Sequence, residues 1–278
     1  DPETQMLFFQ DDIFGAELPW LREFKSKYQK RLPFHLMTRF ELVNPNKDSG
    51  REMLDLLAES GCNGLTLAIE SADPTIRREV LRRNTPQEII FDTMAYISEL
   101  GLATRTFSMI GLPYGATRTP TKVGLEADLD TLKLSVDLKR ETGQPTISWF
   151  SIMVPYANTQ LDLYAQRHGH FNGDHSNIEE WSYRKGSVMR FVNRWFGPHL
   201  APDTRGVWLE GEAERLYLAQ LKDLMCYAPA FAHVPEGHVL ARNYLEGGDL
   251  SPNGLERTTM AHLDTISRMN GRGNWLAD

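Results

Sequence analysis

Acidic, basic and glycine-bearing residues recur directly after short apolar runs in this 278-residue chain. Asp11 and Asp12 follow the run 6–9, Arg39 and Glu41 follow 33–38, and Glu70 and Ser71 follow 64–69. Gly111, Leu112, Pro113, Tyr114 and Gly115 follow 103–110, a run that also carries Arg105. Pro155, Tyr156, Ala157, Asn158 and Thr159 follow 147–154. The set supplies carboxylates, guanidiniums and two turns with exposed backbone. Carboxylates in such places suit sugar hydroxyls or an ammonium group, and exposed backbone suits the edge of a flat ring. Each also has a plainer role. Asp12 can cap a following helix, Arg39 and Arg105 can pair with the acids, and the glycine at 111 can serve a tight turn. Glu70 follows a continuous apolar run, where an acid is costly to bury without a partner. That favours a site role for it.

These residues need elements to hold them. The run 6–9 (Met6, Leu7, Phe8, Phe9) reads as a strand buried on both faces. Trp20, Leu21, Phe24 and Tyr28 form the apolar stripe of a helix over 18–30. A strand over 33–38 and a helix opened by a Ser49–Glu52 capping box come next, with Met53, Leu54, Leu56 and Leu57 inward and Gly61 as the stop. The third strand is 64–69. Thr85 and Glu88 make a second capping box, with Pro86 at the first helical position. Its stripe is Ile89, Thr93, Tyr96, Ile97 and Leu100. The fourth strand is 103–110, and Leu125, Leu129, Leu132 and Val136 mark a long helix ending near Gly143. The fifth strand is 147–154, and Thr159 caps a helix over 161–167.

Five strand–helix units in strict alternation predict parallel strands joined by right-handed crossovers. They are too few to close an eight-stranded barrel, so the fold class expected is α/β, a partial (βα) TIM-like barrel over 1–169. The composition changes after Gly169. Periodicity there predicts a mainly helical region over 170–278, with Val188, Phe191, Val192 and Trp195 on one helix and Leu209, Ala213, Leu216 and Tyr217 on another. His168, His170 and His175 lie close together, but in no spacing tied to a defined metal geometry, and read as solvated.

Composition narrows the class. Hydrophobic residues make up 41% and aromatic residues 10%, as in a globular chain. The net charge of −7 and the lack of a basic run argue against a nucleic-acid surface. No apolar stretch is long enough to span a bilayer. Cys62 and Cys226, the two cysteines, read as core residues and fit a reducing cytoplasm.

In combination these stretches resemble the radical S-adenosylmethionine superfamily, most closely its cobalamin-binding members, from about Met6 to Gly169. FFQDDIFG resembles the second barrel strand, whose end meets the methionyl part of S-adenosylmethionine. MTRFELV and AESGCNGLTLAIES resemble the third and fourth strands, where the acid, here Glu70, is associated with ribose hydroxyls. TFSMIGLPYGAT resembles the "GLPGET" strand and turn near the adenine, although Tyr114, Gly115 and Ala116 depart from its glycine and acid. VPYANTQLDLYAQRHG resembles the stretch that ends the barrel. The family's CxxxCxxC loop, which holds a [4Fe–4S] cluster through three thiolates, is absent from the sequence.

The resemblance implies S-adenosylmethionine contacts from Asp11, Asp12, Arg39, Glu70, Ser71, Arg105, Gly111, Leu112 and Pro155. It implies a cluster whose ligands are not in this chain, and cobalamin on a domain further upstream. The expectation is a fragment of a radical enzyme, lacking its N-terminal segment and inactive alone. The intact enzyme would cleave S-adenosylmethionine reductively, abstract a substrate hydrogen and, with cobalamin, transfer a methyl group. The substrate is a small molecule or peptide of unassigned identity, with no membrane or nucleic-acid partner. Two other readings stay open. One is a different α/β-barrel enzyme using Asp12 and Glu70 as acid and base. The other is a non-catalytic module that docks a partner through the aromatic residues after 180.

Overall fold

The computed structural model describes residues 4–28, 32–112, 125–178, 191–192 and 208–209, with Met225 and Ala232. The described elements run β1 (Leu7–Phe8), α1 (Leu18–Tyr28), β2 (Phe34–Thr38), α2 (Asp48–Ser60), β3 (Cys62–Glu70), a π-helical turn (Ile76–Val80), α3 (Gln87–Glu99), β4 (Ala103–Ile110), α4 (Leu125–Thr142), β5 (Ile147–Ile152), α5 (Gln160–Arg167) and a 3-10 turn (His175–Asn177). Two short strands, β6 (Phe191–Val192) and β7 (Trp208–Leu209), follow.

β1 to β5 form one sheet in sequential order. The pairings β1–β2, β2–β3 and β3–β4 are parallel. Thr146 and Met153 of the β5 segment donate to the carbonyls of Thr104 and Ile110 along β4. Both positions advance together, so this pair is parallel too. This is the alternating α/β pattern expected, with each crossover made by a helix.

By its contacts the chain divides into two compact units. The first comprises 1–70, 84–108 and 137–149. Alternation sorts its strands cleanly. On β2, Phe34, Leu36 and Thr38 are buried while His35 and Met37 face the other way. The Phe34 side meets α1: the Phe24 ring lies 5.6 Å from Phe34 and 6.0 Å from Phe9, and Tyr28 lies 5.3 Å from Phe34. Met53, Leu54 and Leu57 of α2 are buried, and Gly61 ends that helix at φ 96°, where a side chain would be strained. Exposed ion pairs join α1 to α2, Arg22 to Glu52 at 2.7 Å and Lys25 to Glu59. Such pairs contribute little, about 0–1 kcal/mol each.

The second unit comprises 71–83, 109–136 and 150–278. The π-helical turn, with Ile76 and Val80 buried, packs against α5, whose Ala165 is buried. Thr159 caps α5 as its sequence predicts, its side chain accepting from the amide of Asp162.

Several expectations are corrected. β1 is only Leu7–Phe8, and Met6 is exposed rather than buried. Asp12 does not cap α1, which starts at Leu18. Lys47 precedes α2 where Ser49 was expected to, and Thr85 gives its hydroxyl proton to Glu41 instead of capping α3. The buried stripe of α3 is Ile90, Thr93, Met94 and Ile97. Tyr96 lies off that stripe because its hydroxyl donates to Asp55 at 2.6 Å. Phe191–Val192 and Trp208–Leu209 pair as antiparallel strands rather than helices. The aromatic and β-branched content of both segments suits strands better than helices. The remaining helices expected after 180, the Cys226 reading and the 113–115 part of the fourth turn lie outside the described residues.

Candidate functional site

In the first unit the sheet face opposite α1 carries a connected group of polar and aromatic side chains. Phe8 stacks on His35 with ring centres 5.0 Å apart. His35 Nε2 lies 2.6 Å from Thr66 Oγ1, and Arg105 Nε donates to the same oxygen at 3.2 Å. The Arg105 guanidinium carbon sits 5.5 Å from the Phe8 ring centre and 5.1 Å from that of Phe107. Phe107 in turn lies 6.2 Å from Trp149. These residues come from all five strands. Register brings them together, for His35 is opposite Gly64 and Thr66 is opposite Arg105.

Gly64 makes room for this arrangement. A Cβ there would come within 2.7 Å of His35 Nδ1 and 3.2 Å of the Ala103 carbonyl oxygen. Burial, and then the neighbouring Arg105 charge, bring the His35 pKa down to about 4. The imidazole is therefore neutral at physiological pH. Burial also lowers the Arg105 pKa. The plainer role open to Arg105, beside the cofactor contact implied for it, was pairing with an acid. Among the described residues it meets a threonine hydroxyl, a neutral histidine and two aromatic faces instead.

The other expected residues of this unit stand at strand ends. Asp11 and Asp12 are exposed after β1, and Arg39 is exposed after β2. Glu70 closes β3, partly buried, in register with Ser108 across an irregularity in the ladder. Its φ of 67° is left-handed, which a non-glycine residue adopts at a cost and which concentrates at functional sites.

In the second unit Ser71 is fully buried, and its Oγ accepts from the Asp73 amide at 3.2 Å. The Ala72 amide donates to Thr131 Oγ1 at 2.9 Å. Gly111 also has φ 67°, and its amide donates to Asp128 at 3.1 Å. Leu112 and Pro155 are buried. The histidines are not simply solvated: His170 is buried, and His175 Nε2 lies 3.1 Å from the buried Asp162 carboxylate. Asp162 also accepts from the Asn158 amide and Gln166, and these bonds hold its pKa below the ordinary range against the opposing effect of burial.

Cys62 is buried, gives its thiol proton to the Gly64 carbonyl at 3.2 Å, and burial pushes its pKa up to about 12. Among the described residues no three His, Cys, Asp or Glu side chains come together as a metal site.

Sequence reasoning singled out Arg105 and missed His35, Thr66, Phe8 and Phe107 around it. The available signal was alternation. His35 sits between buried Phe34 and Leu36, so it must face the opposite side of the strand.

No family model matches the chain. Over 193 residues it is 26% identical to cytidylyl-2-hydroxyethylphosphonate methyltransferase of Streptomyces wedmorensis, a match that covers 69% of this chain and 34% of that protein. The chain thus spans about a third of that relative's length. Among solved structures it is similar to TsrM of Kitasatospora setae, a radical S-adenosylmethionine methyltransferase with cobalamin and a [4Fe–4S] cluster bound. The identity is 18% and the TM-score 0.43, covering 60% of this chain and 31% of that one. The cobalamin-dependent S-adenosylmethionine radical enzyme OxsB matches at 13% identity and TM-score 0.43, over 96% of this chain and 47% of that one. HemN of Escherichia coli, a coproporphyrinogen III oxidase and radical SAM enzyme, matches at 18% identity and TM-score 0.37, over 54% of this chain and 30% of that one.

Proposed function

We propose that this chain is the S-adenosylmethionine-binding barrel portion of a radical enzyme that transfers methyl groups, with 1–169 as the barrel part and 170–278 as an appended region. The observation that carries the reading is the order of strand-end residues. In the first unit Asp11 and Asp12 follow β1, Arg39 follows β2 and Glu70 closes β3, in a sequentially ordered parallel sheet. Ligands meet the carboxyl ends of strands in such sheets. The sequence match to a methyltransferase supports the same reading.

On this reading Glu70 accepts from the ribose hydroxyls. Asp11 and Asp12 face the methionyl ammonium. The protein's part is to position these groups and to set the charge around them. S-adenosylmethionine supplies the adenosyl and methyl groups.

A [4Fe–4S] cluster does not fit the residues of this chain. It needs three thiolates, whereas the sequence has two cysteines, and Cys62 is a buried thiol held protonated. No step is therefore assigned through a cluster here, and the full reaction, its cobalamin and its substrate belong to the whole protein. No helix among the described residues is long and apolar enough to cross a membrane. We place the protein in the cytoplasm from its cysteine usage.

Equilibrium dialysis of the chain against radiolabelled S-adenosylmethionine tests the reading. Saturable binding that S-adenosylhomocysteine displaces is expected. Binding indistinguishable from a control protein contradicts it.

A further inference from the structure

We infer that Arg105, held by Thr66 and framed by Phe8 and Phe107, is the anchor for an oxyanion group of an organic ligand, a carboxylate or a phosphonate. The inference deepens the proposed function by naming a ligand class for the same sheet face, and it rests on that reading only for the ligand's role as substrate.

Three observations carry it. Arg105 is half-buried, and among the described residues its hydrogen bond uses only Nε, on Thr66 Oγ1 at 3.2 Å. Among the described residues no carboxylate pairs with it. A partly desolvated guanidinium without a counter-charge is a costly arrangement unless something satisfies it. Its planar fork matches a carboxylate or phosphonate through two parallel bonds, and the terminal nitrogens are left for that. The surroundings fix its plane. Nε is tied to Thr66, and aromatic rings stand 5.5 and 5.1 Å from the guanidinium carbon. The oxygen of Thr66 also meets His35 Nε2 at 2.6 Å, so the hydroxyl is positioned before any ligand arrives. Neutral His35 beside Arg105 leaves a single positive charge, enough for one oxyanion.

A plain structural cation usually reaches an acid, as Arg22 reaches Glu52 on the outer surface at 2.7 Å. An arginine that only filled space beside Phe8 and Phe107 would gain nothing over a leucine or methionine of similar volume.

The test uses the 278-residue chain labelled with ¹⁵N at arginine side chains. Methylphosphonate and acetate are titrated separately at fixed ionic strength set with sodium chloride, and the Arg105 Nε resonance is followed. The expected result is a saturable shift of that resonance with one of the two anions; binding of the same anion, read by calorimetry, is weakened about ten-fold or more in Arg105→Gln and is not restored in Arg105→Lys, whose ammonium cannot form the two parallel bonds. Which anion saturates distinguishes phosphonate from carboxylate ligands. Should Arg105→Gln not fold, the wild-type titration alone decides, with Arg22 Nε as the internal exposed control. A shift that tracks Arg22, or no saturation with either anion, overturns the inference. Binding of S-adenosylmethionine is measured separately, so failure of the anion site and failure of the proposed function are read apart.

Discussion

Gly64→Ala tests whether the inner-face group of the first unit is a built unit. A methyl there would stand 2.7 Å from His35 Nδ1, far inside contact distance, so the ring must move. Moving it stretches the His35–Thr66 hydrogen bond, now 2.6 Å, and disturbs the Phe8 stack at 5.0 Å. The hydrogen bond contributes about 1 kcal/mol net, and the ring pair about 0.5–1.5 kcal/mol. Against this, replacing glycine by alanine restricts the unfolded chain and stabilises by about 0.4–1 kcal/mol. The net expectation is a loss of about 0.5–2 kcal/mol, read from urea denaturation with an unchanged slope. In a His35→Ala background the clash is gone, and the same substitution should be neutral or stabilising. The coupling between the two positions should thus be about 2 kcal/mol. An equal cost in both backgrounds would refute the reasoning, because the penalty would then lie in the 3.2 Å approach to the Ala103 carbonyl and not in the ring.

Other outcomes follow from the same geometry. His35 has its pKa lowered from 6.5 to about 4, so between those values the unfolded chain holds a proton that the folded chain refuses. Stability should therefore fall by about 1–2 kcal/mol as pH drops through that window, less than the full shift implies because the ring is half exposed. His35→Gln should flatten that part of the profile, and an unchanged profile would count against it. Cys62, with its thiol pushed up to about 12, should resist a thiol reagent at pH 8 in a Cys226→Ser background and react once urea unfolds the chain. Rapid reaction of the native protein would contradict the burial described. Thr159→Ala removes the acceptor for the Asp162 amide at 3.1 Å and should cost about 1 kcal/mol in thermal unfolding. No measurable loss would show that α5 does not depend on its cap.

The strand–helix rhythm was legible because buried parallel strands read as short apolar runs, and Gly61, Gly101 and Gly143 stop helices at left-handed positions. Strand ends were legible for the same reason, since Glu70 and Gly111 interrupt such runs. What was not legible depends on register. Nothing local in the sequence puts His35, Thr66 and Arg105 together, because their contact is made across three strands. The face of α3 was misplaced because Tyr96 looks apolar in a helical pattern, yet its hydroxyl meets Asp55. The π-helical turn over Ile76–Val80 was missed altogether, since Arg77 and Arg78 blur any apolar period there. The β6–β7 pair escaped because two-residue strands carry no periodicity to read.

The central claim is that Glu70, which closes β3 at φ 67°, receives the ribose of S-adenosylmethionine. Calorimetric titration of S-adenosylmethionine into the wild-type chain and into Glu70→Gln, with matched circular dichroism, tests it most directly. The account predicts saturable binding by the wild type and about ten-fold weaker binding by the variant, the loss of one charge-assisted hydrogen-bonded contact. Equal affinity for both proteins would contradict it.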